Sequence, residues 1–345
     1  MLGCKAEAVS AALQQTVPGL LRARKLVLCV ALESLVDTTS DPRAARFAQA
    51  QGLGAELVTL EGLTPAVHMM ARPGLRPWLE GAAQRWELVL YTGRGRTLAA
   101  PAAKVLDPRG ELFKGRVAHD LAVGSEPVAP GARRCKRVQE LLPADSQTAV
   151  LLDARADVWA GDRASLLTLP SFDFFRGLAA QAALTTQAPL SEREAGERAE
   201  RHRRCADPGL ARADEVLSFV HARFYPRGDA PSAERQLQGR GGDVRVLLDH
   251  FRSFILDGLR VFVDDSAGGE HRDKFVQLAQ RLGCRVMPTL THETSIVLTS
   301  SKQSRNAELG KKLRVWVLHT DWLRDCANNW QREPSRNYSL FELAD

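Results

Sequence analysis

Short apolar runs separated by amphipathic stretches organise the first half of the chain. Lys25–Val30, Glu87–Tyr91 and Thr148–Leu152 are hydrophobic runs of strand length, and between them Pro73–Trp86 and Arg96–Leu106 space their apolar residues as helices do. This alternation predicts a parallel sheet covered by helices. The second half repeats the scheme on a smaller scale. Strands are expected at Leu259–Val263, Cys284–Met287, Ser295–Thr299 and Arg314–Leu318, and helices at His271–Leu282, Ser304–Leu309 and Thr320–Trp330. That makes a small α/β unit of about a hundred residues. A helical lead-in precedes it, Asp214–Tyr225 and Gly242–Leu256. There Val216, Phe219 and Val220, then Val244, Leu247, Leu248 and Phe251, fall on faces that the spacing predicts to be buried. No fixed-period repeat is present.

Between the blocks, residues 177 to 213 are rich in Ala, Gln, Glu and Arg, which reads as an exposed helix or linker. Arg201 to Arg204 within it suits a solvated helix face better than a nuclear-localisation or nucleic-acid patch. Length agrees with two units, since 345 residues exceed what one hydrophobic core usually serves. With 44% hydrophobic and 26% charged residues the chain has the balance of a soluble globular protein. Its longest unbroken apolar stretch, Leu26 to Leu32, falls far short of the roughly 20 residues that cross a bilayer, so no membrane partner is expected. No basic region leads into an apolar core at the N-terminus, so no secretory signal is expected. The single acidic residue before Arg22 keeps an organelle transit peptide as an alternative. Six scattered cysteines with no C-x-x-C pair suggest reduced thiols, and neither a zinc site nor a disulfide framework. A formal charge of +6 and a pI near 9.1 favour acidic partners, phosphopeptides or nucleic acid.

In a parallel α/β sheet, ligands collect at the carboxyl ends of the strands, so those ends carry the candidate chemistry. The first strand runs into Ala31-Leu-Glu-Ser-Leu-Val-Asp-Thr-Thr39, Leu88–Tyr91 delivers Thr92 and Gly93-Arg-Gly-Arg96, and Ala149–Leu152 delivers Asp153-Ala-Arg-Ala-Asp-Val-Trp159. All three are expected to face one crevice. Together with Arg72-Pro-Gly-Leu-Arg-Pro-Trp-Leu79, Glu87-Leu-Val-Leu-Tyr-Thr92, Ala103-Lys-Val-Leu-Asp-Pro-Arg-Gly-Glu-Leu-Phe113 and the run Leu167 to Phe175, these segments resemble the RNA polymerase II C-terminal-domain phosphatases of the haloacid dehalogenase superfamily. The resemblance implies a haloacid-dehalogenase-like domain over residues 20 to 176, then a charged linker and lead-in over 177 to 256.

That family opens its site with D-x-D-x-T, the first aspartate attacking phosphorus and the second serving as acid and base. Here Ala31 holds the nucleophile position and Glu33 the acid/base position, with the motif one residue short and Ser34 nearest the usual Thr. The resemblance also implies a Mg²⁺ held by carboxylates, and two of those positions are Ala31 and Ala154. Thr92, Lys136 and Asp153 match positions that bind or orient phosphate. Arg94 and Arg96 are candidates to add charge, and His119-Asp120 stands where the family has an arginine-containing segment. Losing the nucleophile alone typically removes 10⁴-fold or more of the rate.

Leu259-Arg-Val-Phe-Val-Asp-Asp265, Leu282-Gly-Cys284 and His319-Thr-Asp-Trp-Leu-Arg-Asp-Cys326 resemble a BRCT domain, expected over residues 257 to 335. Trp322 reads as a core anchor for the last helix. Ser266 and Gly268, with Lys302 or Arg305, are the candidates for partner binding, should this module read phosphate as some of its kind do. The expectation is therefore a nuclear pseudophosphatase with no cofactor, binding a phosphorylated polymerase tail or transcription factor. The alternative is an active Mg²⁺-dependent serine/threonine phosphatase, and nucleic-acid binding ranks third.

Overall fold

Leu26–Ala31 forms the centre of the first sheet in the computed structural model, and all six of its residues are buried, as a parallel strand covered on both faces requires. The structure describes residues 4–5, 17–119, 146–159, 161–178, 190–225, 242–265 and 269–341. They divide into two compact units, residues 1–245 and 246–345.

The first unit is built on β1 (Cys4–Lys5), β2 (Leu26–Ala31), β6 (Trp86–Tyr91), β7 (Val117–His119), β8 (Ala149–Asp153) and β9 (Leu166–Thr168), all parallel, in the order β1-β7-β6-β2-β8-β9. Between β2 and β6 the chain makes a one-turn helix α1 (Leu32–Leu35), then a small antiparallel sheet of β3 (Val36–Thr39), β4 (Val58–Leu60) and β5 (Val67–Ala71), with α2 (Ala44–Ala50) inserted after β3. The sequence pattern showed no sign of this sheet, because its strands are short and only half-buried, so their apolar and polar residues do not sort cleanly.

Helix α3 (Leu75–Arg85) buries Leu75, Trp78, Leu79 and Ala82, one face at helical spacing. After α4 (Arg96–Leu106), helix α5 (Glu192–Arg204) opens with a capping box between Ser191 and Glu194. Helix α6 (Pro208–Phe224) starts on the Asp207 cap with Pro208 in its first turn. Here the structure differs from the expectation of a lead-in to the second block. Helix α6 belongs to the first unit, where Arg85 donates to Asp214 (2.8 Å) and Ser218 (2.7 Å) and the α6 face of Leu210, Ala213, Val216, Leu217 and Val220 is buried.

Helix α7 (Val244–Arg252) spans the point where the units divide. The second unit has four parallel strands, β10 (Arg260–Val263), β11 (Arg285–Val286), β12 (Ile296–Thr299) and β13 (Trp316–His319), in the order β11-β10-β12-β13. Helices α8 (Gly269–Arg281), α9 (Arg305–Lys312) and α10 (Asp321–Asn329) connect and cover them. Trp322 is fully buried in this core and donates its indole N–H to the Glu333 carbonyl at 2.9 Å, as an anchoring residue should. No described helix is long and apolar enough to cross a membrane.

Candidate functional site

Ala31 ends β2 in register with Tyr91 at the end of β6, while Val30 pairs with Leu152 beside the last residue of β8. All strands run the same way, so the three endings meet at one edge of the sheet. They border a cleft of about 150 Å³ lined by Glu33, Asp37, Arg94, Asp153, Ala154 and Arg155, among others. Ala31 itself is completely buried.

The one-turn helix after Ala31 turns Glu33 and Ser34 to opposite neighbours. Glu33 Oε1 accepts the Thr92 hydroxyl at 2.5 Å, and the same hydroxyl oxygen accepts the Arg94 backbone N–H at 3.0 Å. Thr92 is fully buried, and its one proton is donated to Glu33. Ser34 Oγ accepts the Ala154 backbone N–H at 2.7 Å and so ties the first strand end to the third. Glu33 Oε2 is buried and has no hydrogen-bond partner among the described residues.

Asp153 is also occupied. Its Oδ2 accepts the Tyr91 hydroxyl (3.0 Å) and the Trp159 indole N–H (2.9 Å), and its Oδ1 accepts the Arg155 backbone N–H (3.0 Å). The two rings meet edge to face, 5.5 Å between centroids, and burial together with the Asp153 charge holds the Tyr91 phenol well above its ordinary value. Asp37 lies on β3 and accepts the Phe175 N–H at 2.8 Å; partial burial raises its carboxyl, although that N–H works against the shift. The described cations facing the cleft are Arg94, which donates to Thr38 at 3.0 Å, and Arg155, which pairs with Asp157 at 2.8 Å. Four carboxylates, Glu33, Asp37, Asp153 and Asp173, line the same space.

Several motif residues prove to be supports for the site. Arg72 is 4% exposed and its guanidinium bridges three segments: it donates to the Ser34 carbonyl at 2.6 Å, to the Pro170 carbonyl, and to the Asp207 carboxylate in a buried ion pair. Asp107 accepts three backbone N–H groups, from Glu111 (3.0 Å), Leu112 (2.9 Å) and Phe113 (2.8 Å), which explains an aspartate at the head of that loop. Glu87 pairs with Arg116 and Lys114. Sequence reasoning noted these residues as motif members without giving them roles, and the separation of Arg72 from Asp207 by 135 positions explains why.

Lys136 and Asp120 lie outside the described residues, as do Ser266 and Gly268 of the second unit. His119 is buried at the end of β7. Of the other BRCT candidates, Lys302 and Arg305 are both exposed, and the Lys302 ammonium stands 5.2 Å from the centroid of the Phe341 ring, with Lys311 at 5.1 Å. The end of β10 holds a buried carboxylate instead, which sequence reasoning missed although Asp264 stands in the segment that resembles a BRCT strand. Asp264 is 3% exposed and accepts Thr299 Oγ1 at 2.9 Å and Asn306 Nδ2 at 2.6 Å.

Residues 33–198 match the family model of the NLI interacting factor-like phosphatases, and residues 251–327 match the BRCA1 C Terminus (BRCT) domain. The chain is a homologue of the RNA polymerase II C-terminal-domain phosphatases. RNA polymerase II C-terminal domain phosphatase-like 4 of Arabidopsis thaliana is 25% identical over 278 residues, 79% of this chain and 58% of its own length. An RNA polymerase II C-terminal domain phosphatase of Caenorhabditis elegans is 23% identical over 328 residues, 94% of this chain and 46% of its own. The chain thus spans about half the length of the curated relatives it matches. In fold it is similar to Fcp1, an essential RNA polymerase II CTD phosphatase, at a TM-score of 0.69 and 20% identity, covering 95% of this chain and 99% of that one. A haloacid-dehalogenase-type sheet followed by a BRCT domain is therefore the architecture, as expected.

The Mg²⁺ that such a fold implies does not suit the residues present. Magnesium takes near-octahedral oxygen ligands, with one or two carboxylates from the protein. Ala31 and Ala154 offer no side-chain oxygen, and Asp153 already accepts from three donors. Among the described residues no three His, Cys, Asp or Glu side chains converge as a metal site.

Proposed function

We propose that this chain is a pseudophosphatase that recognises a phosphorylated partner in nuclear transcription, of the kind its relatives are named for, without hydrolysing it. One position carries the reading. A methyl group occupies the end of β2, where a carboxylate must attack phosphorus, and it is completely buried, so no rotamer of a neighbour can take its place. Three of the four cleft carboxylates support the same conclusion: Glu33 holds Thr92, Asp37 holds the Phe175 N–H, and Asp153 holds Tyr91 and Trp159. Recognition of phosphate then falls to the exposed Arg94 and Arg155, against the charge of Glu33, Asp37, Asp153 and Asp173.

The test has two parts. Aryl-phosphate turnover is measured with Mg²⁺ for the unaltered chain and for Ala31→Asp combined with Ala154→Asp. The unaltered chain is expected to be inactive at every Mg²⁺ concentration, and Mg²⁺-dependent turnover by it would overturn the reading. Binding of a phosphoserine peptide to Glu33→Gln is measured by fluorescence anisotropy. Removing one like charge while keeping an acceptor for Thr92 should tighten binding about fivefold. Were Glu33 the acid/base of a working enzyme, the same change would instead abolish turnover.

A further inference from the structure

Beside the cleft lies a second groove of about 570 Å³, within the first unit, between α5 and the loop that follows β9. Phe47, Phe172 and Phe174 form its apolar wall. Phe172 and Phe174 stack at 6.5 Å between centroids, and Phe47 meets Phe174 edge to face at 5.4 Å. Arg198 and Arg201 line the groove from α5. Phe172 also lines the cleft, so the two depressions are neighbours on either side of that ring.

The charges of α5 are unevenly satisfied. Arg193 pairs with Glu197, Arg203 with Glu56 and Glu200, and Arg204 with Glu200. The two arginines at the groove have no carboxylate partner among the described residues; Arg198 donates only to the Gln51 side-chain oxygen at 3.3 Å. Asp207, the acidic residue of the lining, is neutralised by Arg72. An apolar aromatic wall beneath two uncompensated guanidinium groups suits an aromatic side chain on an acidic strand.

We infer that this groove is a second subsite for the same partner. It takes an aromatic side chain a few residues from the phosphate, with neighbouring carboxylates meeting Arg198 and Arg201. The inference rests on the phosphate-binding reading of the cleft and specifies the class of peptide that fits. A peptide is favoured over nucleic acid because the remaining arginines of α5 are already paired, which leaves two on that helix to follow a phosphate backbone.

The experiment uses the full chain and ten-residue peptides of Asp, Gly and Ser. They contain either phosphoserine or serine, and either one Tyr or Gly two to four residues away on either side. The Tyr phosphopeptide is expected to bind about tenfold more tightly than its Gly counterpart. Arg201→Glu is expected to weaken both phosphopeptides, whose aspartates meet that guanidinium, and to remove most of the difference between them. As a second readout, the Tyr peptides should slow alkylation of the exposed Cys205 thiol on the groove lining, followed by mass spectrometry of its tryptic fragment. Equal affinity for Tyr and Gly peptides, an increment that survives Arg201→Glu, or displacement of the peptide by a single-stranded oligothymidylate would each overturn the groove assignment. Equal affinity for phosphoserine and serine peptides would instead overturn the reading of the cleft, because the Tyr increment is measured independently within each pair.

Discussion

Replacing Arg72 by Met should destabilise the first unit by about 3–5 kcal/mol, the usual consequence of breaking a buried ion pair from one side. The side chains of Arg72 and Asp207 are only 3% and 13% exposed, so the Asp207 carboxylate would keep its Leu210 N–H but be left largely out of water with no cation beside it. Burial already presses the guanidinium below its ordinary value, and Asp207 is what opposes that pressure. The Ser34 and Pro170 carbonyls lose a donor as well. Against a typical total stability of about 5–15 kcal/mol, this is a large fraction. Hydrogen exchange separates the units. Protection of Leu26–Ala31 should fall sharply, while Ile296–Thr299 in the second unit keeps its protection. Unchanged exchange in β2 would show that Arg72 is not the support described.

An equally large effect is expected in the second unit from Gly283→Ala. Gly283 adopts φ +94, and a β-carbon there would stand 2.0 Å from the Ser253 carbonyl oxygen and 3.3 Å from the Asp257 α-carbon. Neither neighbour can withdraw, since both are backbone and the Leu256 N–H is bonded to the Leu282 carbonyl at 2.8 Å across the same contact. A cost of more than about 3 kcal/mol follows from strain and collision together. Gly258→Ala is the control. Its φ is +78 with nothing within 4 Å of the added carbon, so only the conformational cost of about 1–2 kcal/mol remains. Urea midpoints of the two variants should differ clearly, and equal midpoints would mean that the Ser253 contact is not tight.

The contrast between these residues shows what the sequence discloses. Strands buried on both faces, such as Leu26–Ala31 and Ile296–Thr299, announce themselves as continuous apolar runs, and helices such as Arg96–Leu106 by their spacing. The place of Ala31 at the carboxyl end of the central strand was equally legible, because a continuous apolar run leads into it. Partnerships across the chain were not. The hold of Arg72 on Asp207, of Thr92 on Glu33 and of Asp264 on Asn306 joins residues 135, 59 and 42 positions apart, and no local pattern encodes such distances. Thr92 illustrates the consequence. Its position suggested a donor to phosphate, whereas packing turns its proton toward Glu33. Helix α6 was misplaced for a related reason: its apolar face shows that it is buried without saying against what, and Arg85 decides the matter.

The bonding around Asp153 bears on how mutational scans of this chain should be interpreted. A carboxylate that braces a phenol and an indole beneath the sheet edge behaves as a tie-beam. Its removal would slacken the whole rim and lower every measured affinity together, so a general loss of that kind would report on bracing as much as on contact.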